Sequence, residues 1–224
     1  MKTMRNVVIA FALTLLCAPM ISAQDLSKYR NFSLGASLDV ISRLVKASPD
    51  NISVIHQTPA VIQELTWSPV QYGDLSVIPE SVQQIRFSFY NRELHRMTVM
   101  YEDGATEGLT ADDMIAAISA KYGAATRPDA SGNTVTNSSY SSTDIQIGLW
   151  ENPQYSVTLS RFPLSNSYQL VMVSRQLNDQ AGAAIATART QDREDAPQKE
   201  MARVKKAAAD METKRQANLK TFRP

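Results

Sequence analysis

The chain of 224 residues contains very little cysteine and histidine. Its only cysteine, Cys17, lies in an N-terminal apolar segment, and Leu16 precedes it where a lipid anchor needs a small residue. Without that segment the chain has no thiol, which excludes disulfides, thiol catalysis, cysteine-based zinc sites and iron–sulfur clusters. No residue pattern predicts a cofactor or a metal site.

The N-terminal segment has the features of a secretory signal. Lys2 and Arg5 are followed by an apolar run at residues 7–16, which is too short for a bilayer span of ~20 residues. Small residues end the segment at Ala23, so we expect export to remove residues 1–23. An exported chain without disulfides favours a bacterial envelope, and we expect a periplasmic or secreted protein.

The rest of the chain has no excess of charge of either sign. Removal of Lys2 and Arg5 from the 23 basic residues leaves 21, against 22 acidic residues. This balance gives no electrostatic reason to expect nucleic acid as a partner. No later apolar run is long enough to cross a membrane. We therefore expect the partner to be another envelope or secreted protein.

A short pattern, Gly-x-Ser/Thr-x-Asp, occurs twice, at residues 35–39 and 108–112. Apolar residues at helical spacing follow each copy, so each predicts the start of a short amphipathic helix. Ser37 and Thr110 can cap exposed backbone N–H groups, and the aspartates suit the positive end of the helix dipole. The second helix is expected to end at Gly123.

Strand signals follow each helix, because apolar and polar residues alternate in several short segments. The predicted strands are residues 52–56, 61–67, 84–90 and 93–101 in the first half, and 134–140, 144–150, 155–161 and 168–175 in the second. In the strand predicted at residues 144–150, Ile145, Ile147 and Leu149 are expected to share one face. The sequence therefore predicts an α+β domain over residues 24–175, built from two helix-plus-antiparallel-meander units at about 29–101 and 107–175.

The two units resemble the β-lactamase-inhibitor-protein-like fold, which the small lipoprotein of the outer-membrane assembly machine shares. Residues 34–37 (Leu-Gly-Ala-Ser) and 107–110 (Glu-Gly-Leu-Thr) carry the resemblance, which covers residues 29–175. It implies a domain that binds other proteins. The chain departs from that lipoprotein because it lacks the lipid-anchor cysteine.

Residues 176–224 form a different region, rich in charge and poor in strand formers. A helical stripe of mostly small residues is expected first, and Pro197 is expected to break the helix. Met201, Val204, Ala208 and Met211 then follow a heptad-like spacing over about two heptads, which is short for a coiled coil. We interpret the region as a charged helical tail, partly disordered, with a partner-binding or envelope-surface helix as the alternative.

No catalytic motif accompanies the candidate residues. His56 and His95 have no Gly-x-Ser-x-Gly nucleophile elbow, so both are interpreted as ordinary sheet residues. The acidic cluster at residues 102–113 does not match a calcium loop and suits helix capping. We therefore expect a protein that is not an enzyme.

The predicted interaction surface is the open face of the sheet. Arg86, Tyr90 and Tyr101 are its predicted partner-binding residues, because Arg and Tyr are common anchors in protein interfaces. The predicted function is therefore exported, non-catalytic binding of a protein or of another envelope component. The alternative is a secreted hydrolase or carbohydrate-binding protein with a cleft near Trp67 or Trp150.

Overall fold

A computed structural model describes most of the chain after the predicted signal. The described residues are 25–68, 81–126, 144–163 and 167–223. The predicted signal at residues 1–23 and the predicted strand at residues 134–140 lie outside these ranges.

The described residues form nine strands, four α-helices and one short 3-10 helix (Pro49–Asn51). The strands are β1 (Lys28–Tyr29), β2 (Phe32–Ser33), β3 (Ile52–His56), β4 (Ile62–Trp67), β5 (Val82–Tyr90), β6 (Glu93–Tyr101), β7 (Ile145–Glu151), β8 (Tyr155–Arg161) and β9 (Tyr168–Ser174). The helices are α1 (Leu38–Leu44), α2 (Asp103–Thr106), α3 (Ala111–Tyr122) and α4 (Arg175–Thr221). Apart from the β1–β2 hairpin and the short α2, these elements follow the predicted order.

Seven of the strands form one antiparallel sheet in the order β3-β4-β5-β6-β9-β8-β7. Each predicted unit contributes a meander, and the last strands of the two units, β6 and β9, pair side by side. The tight link between β5 and β6 is a two-residue turn in which Asn91 and Arg92 both have positive φ. The predicted α+β class, with two helix-plus-meander units and a helical tail, is confirmed.

The repeated pattern sets the start of α1 and α3. Gly35 and Gly108 have φ of 83° and 79°, a conformation that favours glycine. Two residues later, the Ser37 hydroxyl accepts a hydrogen bond from the backbone N–H of Val40 at 3.4 Å. At α3, Thr110 and Asp113 bond each other's backbone N–H groups, at 2.9 and 3.2 Å, which completes a capping box.

One face of the sheet is the core face, covered by α1, α3 and the β1–β2 hairpin. The rings of Phe32 and Phe87 pack edge to face, with centroids 4.9 Å apart. Trp150 lies beneath α3, and its indole N–H donates to the carbonyl of Gly123 at 2.8 Å. The largest fully buried side chains include Phe32, Ile41, Leu65, Phe87, Met97, Leu159 and Leu170.

The predicted alternation of β7 is wrong in one detail. The pairing with β8 skips Ile147, which is the extra residue of a bulge between Gln146 and Gly148. After the bulge the sides are exchanged, so Ile147 packs on the core whereas Leu149 lies on the opposite face. Strict alternation predicted that Trp150 would point to solvent, but because of the bulge its side chain lies in the core.

The tail is one continuous helix, so the prediction that Pro197 breaks it is wrong. Proline removes one backbone hydrogen bond, but helix formers on both sides continue the helix through it. Lys199 pairs with Asp192 at 3.0 Å and with Asp195 at 3.7 Å, and so connects the two sides of the proline. Among the described helices, none combines the length and the apolar character that crossing a membrane requires.

The first turns of α4 pack on the second face of the sheet, over β5, β6 and β9. Ala181, Ala184 and Ala188 are buried there, whereas every residue from 189 to 223 is exposed. The face that the sequence predicted to be open is therefore partly covered. Small side chains allow the helix to lie close to the sheet, and polar space remains beside it.

Candidate binding site in a groove beside helix α4

The second face of the sheet is polar because half of each central strand points to it. On β5, Ile85, Phe87 and Phe89 enter the core, so Arg86 and Ser88 point the other way. On β4, Glu64 pairs with Ser88 in the strand register and shares its face. The Ser88 hydroxyl lies 3.4 Å from the Glu64 carboxylate, to which it donates a weak hydrogen bond.

A bulge in β6 places two consecutive residues on this face. Ser88 pairs with Arg96 and Phe89 pairs with Leu94, so His95 is the extra residue of β6. Leu94 is fully buried in the core, whereas His95 and Arg96 both line the second face. Bulges often reorient side chains next to functional sites, and this one brings an imidazole beside a guanidinium.

These side chains surround a half-open groove of about 360 Å³ between the sheet and α4. We call it the α4 groove and define it by Glu64, Arg86, His95, Arg96, Asp144 and Ile185. Its volume lies within the range typical of ligand pockets, about 300–1,000 Å³. Residues from three strands, the residue that precedes β7 and one helix therefore converge on one polar space.

His95 is the most unusual residue of the α4 groove. It is 5% exposed, and neither ring nitrogen makes a hydrogen bond of good geometry among the described residues, although the Asn178 side chain of α4 interacts with the ring. Burial and, to a smaller extent, the charge of Arg96 lower the pKa of His95 to about 4, while hydrogen bonding with the Asn178 side chain opposes the shift. The imidazole is therefore neutral at pH 7, with one nitrogen that donates and one that accepts.

The two arginines give the α4 groove a pair of neighbouring guanidinium groups. Burial lowers the pKa of Arg96, Glu64 opposes that change, and the positive charge of Arg86 adds to it. Glu64 and Asp144 balance the two positive charges. A ligand of strongly negative net charge is therefore disfavoured, whereas one with both a carboxylate and hydrogen-bond donors suits the lining.

The structure separates the three predicted partner-binding residues. Arg86 lines the α4 groove, and Tyr90 lies on the same face at the end of β5, paired with Ile62 of the groove lining. Tyr101 lies on the opposite, core face, because it follows Met97 and Val99 at two-residue spacing along β6. Its assignment to the open face is corrected accordingly.

Tyr101 belongs to a cluster of tyrosines beneath α3. Burial raises the pKa of Tyr101 well above its ordinary value, and Tyr29 contributes to that increase. Tyr122 donates a hydrogen bond to the carbonyl of Lys28 at 2.7 Å, and burial raises its pKa too. Lys121 lies over the rings of Tyr29 and Tyr122, 5.7 and 5.0 Å from their centroids. These contacts connect the N-terminal hairpin to α3 and give Tyr101 a structural role.

The other candidate residues lie apart from the α4 groove. His56 lines a separate polar cavity of about 450 Å³ with Asp192, Asp195 and Lys199 of α4. In the acidic cluster, Thr110 hydrogen bonds lower the pKa of Asp113, whose role is to cap α3. Within the described ranges, no group of three His, Cys, Asp or Glu side chains is placed to hold a metal ion.

The two tryptophans do not form a cleft. Trp67 is 3% exposed and Trp150 is 2% exposed, and both belong to the core. Each indole is therefore out of reach of a sugar ring.

Four groove residues were not predicted to take part in binding: Glu64, His95, Arg96 and Asp144. The polar positions of β4, β5 and β6 were the available signal, but only Arg86, Tyr90 and Tyr101 were predicted to bind a partner, and His95 was interpreted as an ordinary sheet residue. The alanines of α4 did not predict that the helix packs on these strands, because small residues give only a weak hydrophobic pattern.

Comparison with known proteins found no matching family model, no matching curated protein and no matching solved structure. The resemblance to the β-lactamase-inhibitor-protein-like fold therefore stays a prediction.

Proposed function

We propose that the protein is an exported, non-catalytic binding protein that accepts a peptide segment of a partner protein in the α4 groove. The observation that carries this proposal is His95, a buried imidazole at a bulge, whose ring nitrogens make no hydrogen bond of good geometry among the described residues. A peptide offers both N–H donors and carbonyl acceptors, which match a neutral imidazole.

The charges of the α4 groove fit the same kind of ligand. Arg86 and Arg96 suit a carboxylate, because guanidinium groups bind carboxylates in a fixed, often bidentate geometry. Glu64 and Asp144 suit the backbone N–H groups or a basic side chain of the same segment. A segment of mixed charge would satisfy both sets.

Two features favour binding over catalysis. His95 has a pKa of about 4, which makes it a weak base at neutral pH. No hydroxyl of the described residues forms a hydrogen bond with its ring, so a serine–histidine pair is not assembled there.

Site-specific photocrosslinking in the native envelope tests the proposal. A photoreactive residue at Gln84, on the lining of the α4 groove, should give a discrete adduct with a partner protein. The matched control is Ala116, an exposed position of α3 on the other side of the sheet. An adduct from Ala116 and none from Gln84 would contradict the proposal.

A further inference from the structure

The distal part of α4 carries an exposed apolar stripe that does not pack on the domain. Its members are separated by helical spacing and fall within an arc of about 80° at 100° per residue. The exposure of its large apolar side chains ranges from 57% at Val204 to 76% at Phe222, which directly follows the helix. We call it the distal stripe and define it by Met201, Val204, Ala208, Met211, Leu219 and Phe222.

The same segment concentrates the positive charge of the tail. Residues 199–223 contain eight basic and three acidic residues, whereas residues 189–198 contain two basic and three acidic residues. The helix is therefore close to neutral near the domain and strongly basic beyond Pro197.

Most of the negative charge in the distal segment is already paired. Glu200 binds Arg203 at 2.7 Å and Glu212 binds Arg215 at 3.1 Å, both within the helix. On the helical wheel, Lys205 lies on one side of the distal stripe and Lys214 lies on the other. An apolar stripe between basic side chains is typical of helices that lie in a membrane interface.

A second copy of the helix is a poorer match for this surface. Arg215 and Asn218 occupy the next two positions at which a coiled coil would need apolar residues. The heptad pattern therefore ends after about two heptads. Dimerisation would also bring two strongly basic segments together. A phospholipid headgroup layer can accommodate Arg215, because the guanidinium group of Arg215 can reach a phosphate while its aliphatic part stays at the apolar boundary.

We propose that residues 199–223 bind an anionic phospholipid surface. The distal stripe lies at the boundary between headgroups and acyl chains, and the flanking basic side chains contact phosphate groups. The exposed part of α4, residues 189–221, is about 50 Å long at 1.5 Å per residue, so the helix holds the domain near the membrane. This proposal is independent of what the α4 groove binds.

Vesicle co-sedimentation of the full exported chain tests the proposal. The protein should bind phosphatidylcholine vesicles that contain about one-third phosphatidylglycerol and should not bind vesicles of phosphatidylcholine alone. Lys205→Glu with Lys214→Glu should lower the partition coefficient more than about tenfold, because these two lysines flank the distal stripe and each basic residue near an anionic surface strengthens binding. The matched control, Arg189→Glu with Arg193→Glu, makes the same charge change outside the distal segment and should have little effect.

A second variant tests the apolar contribution. Met211→Ser with Phe222→Ser leaves the charge unchanged and should also weaken binding to the anionic vesicles. These residues are exposed, so circular dichroism should show an intact fold in each variant.

Four results would overturn the proposal. They are equal binding to both kinds of vesicle, absence of binding to either, equal loss in the Arg189/Arg193 control, and no effect of the Met211/Phe222 variant. Light scattering that shows a dimer, together with no vesicle binding, would assign the distal stripe to a second copy instead. Binding to duplex DNA without vesicle binding would assign the basic segment to nucleic acid.

Discussion

Protonation of His95 should destabilise the folded protein in acid. Its pKa falls from 6.5 to about 4 on folding, because the buried ring loses its hydration and faces Arg96. The unfolded chain therefore takes up a proton at a higher pH than the folded chain. The contribution of the neutral His95 ring to the free energy of unfolding is fully present above pH 6.5 and is lost as the pH falls towards 4. A difference of this size corresponds to about 3 kcal/mol.

Urea unfolding at several pH values between 7.5 and 4 measures this loss for the wild type and for His95→Gln. The variant carries no titratable ring at that position, so its free energy of unfolding should fall by about 3 kcal/mol less than that of the wild type. The chain's other histidine supplies the matched variant, because His56→Gln removes an imidazole that lies outside the α4 groove. If His95→Gln loses as much stability as the wild type, the ring is not buried in its neutral form and the reasoning fails.

Other perturbations test the packing around the site. A chain that ends at Ala196 should melt cooperatively and close to the full exported chain in calorimetry, whereas one that ends at Ser174 should melt at a clearly lower temperature because it loses the buried alanines of α4. Gly148→Ala should cost about 1–3 kcal/mol in urea unfolding, because its Cβ would lie 2.9 Å from the buried ring of Trp150. Trp150→Phe should cost about 1–2 kcal/mol by the same method, since it removes the indole donor to Gly123.

Local rules account for the part of the fold that the sequence predicted. The start of each short helix follows from Ser37 and Thr110, whose hydroxyl groups cap the first turn. Strand alternation likewise places Phe87 in the core and Arg86 on the second face. These features depend on residues near in sequence, so the sequence alone contains the signal.

The candidate site was harder to predict because it depends on departures from regular pairing. Alternation alone does not reveal that His95 is an extra residue in β6, which brings it beside Arg96. The docking of α4 depends on alanines such as Ala184, whose small area gives a weak hydrophobic pattern. Tyr101 is different, because the two-residue spacing after Met97 already indicated its core position.

The affinity of the crosslinked partner for Arg86→Ala tests the central claim most directly. Titration calorimetry with purified partner should give a Kd about 5- to 30-fold weaker than that of the wild type, which corresponds to about 1–2 kcal/mol for the loss of one arginine anchor. Arg43→Ala removes an exposed arginine from α1 on the other side of the sheet and should leave the Kd unchanged. Equal affinity of the wild type and Arg86→Ala, with both proteins folded, would contradict the assignment of binding to the α4 groove.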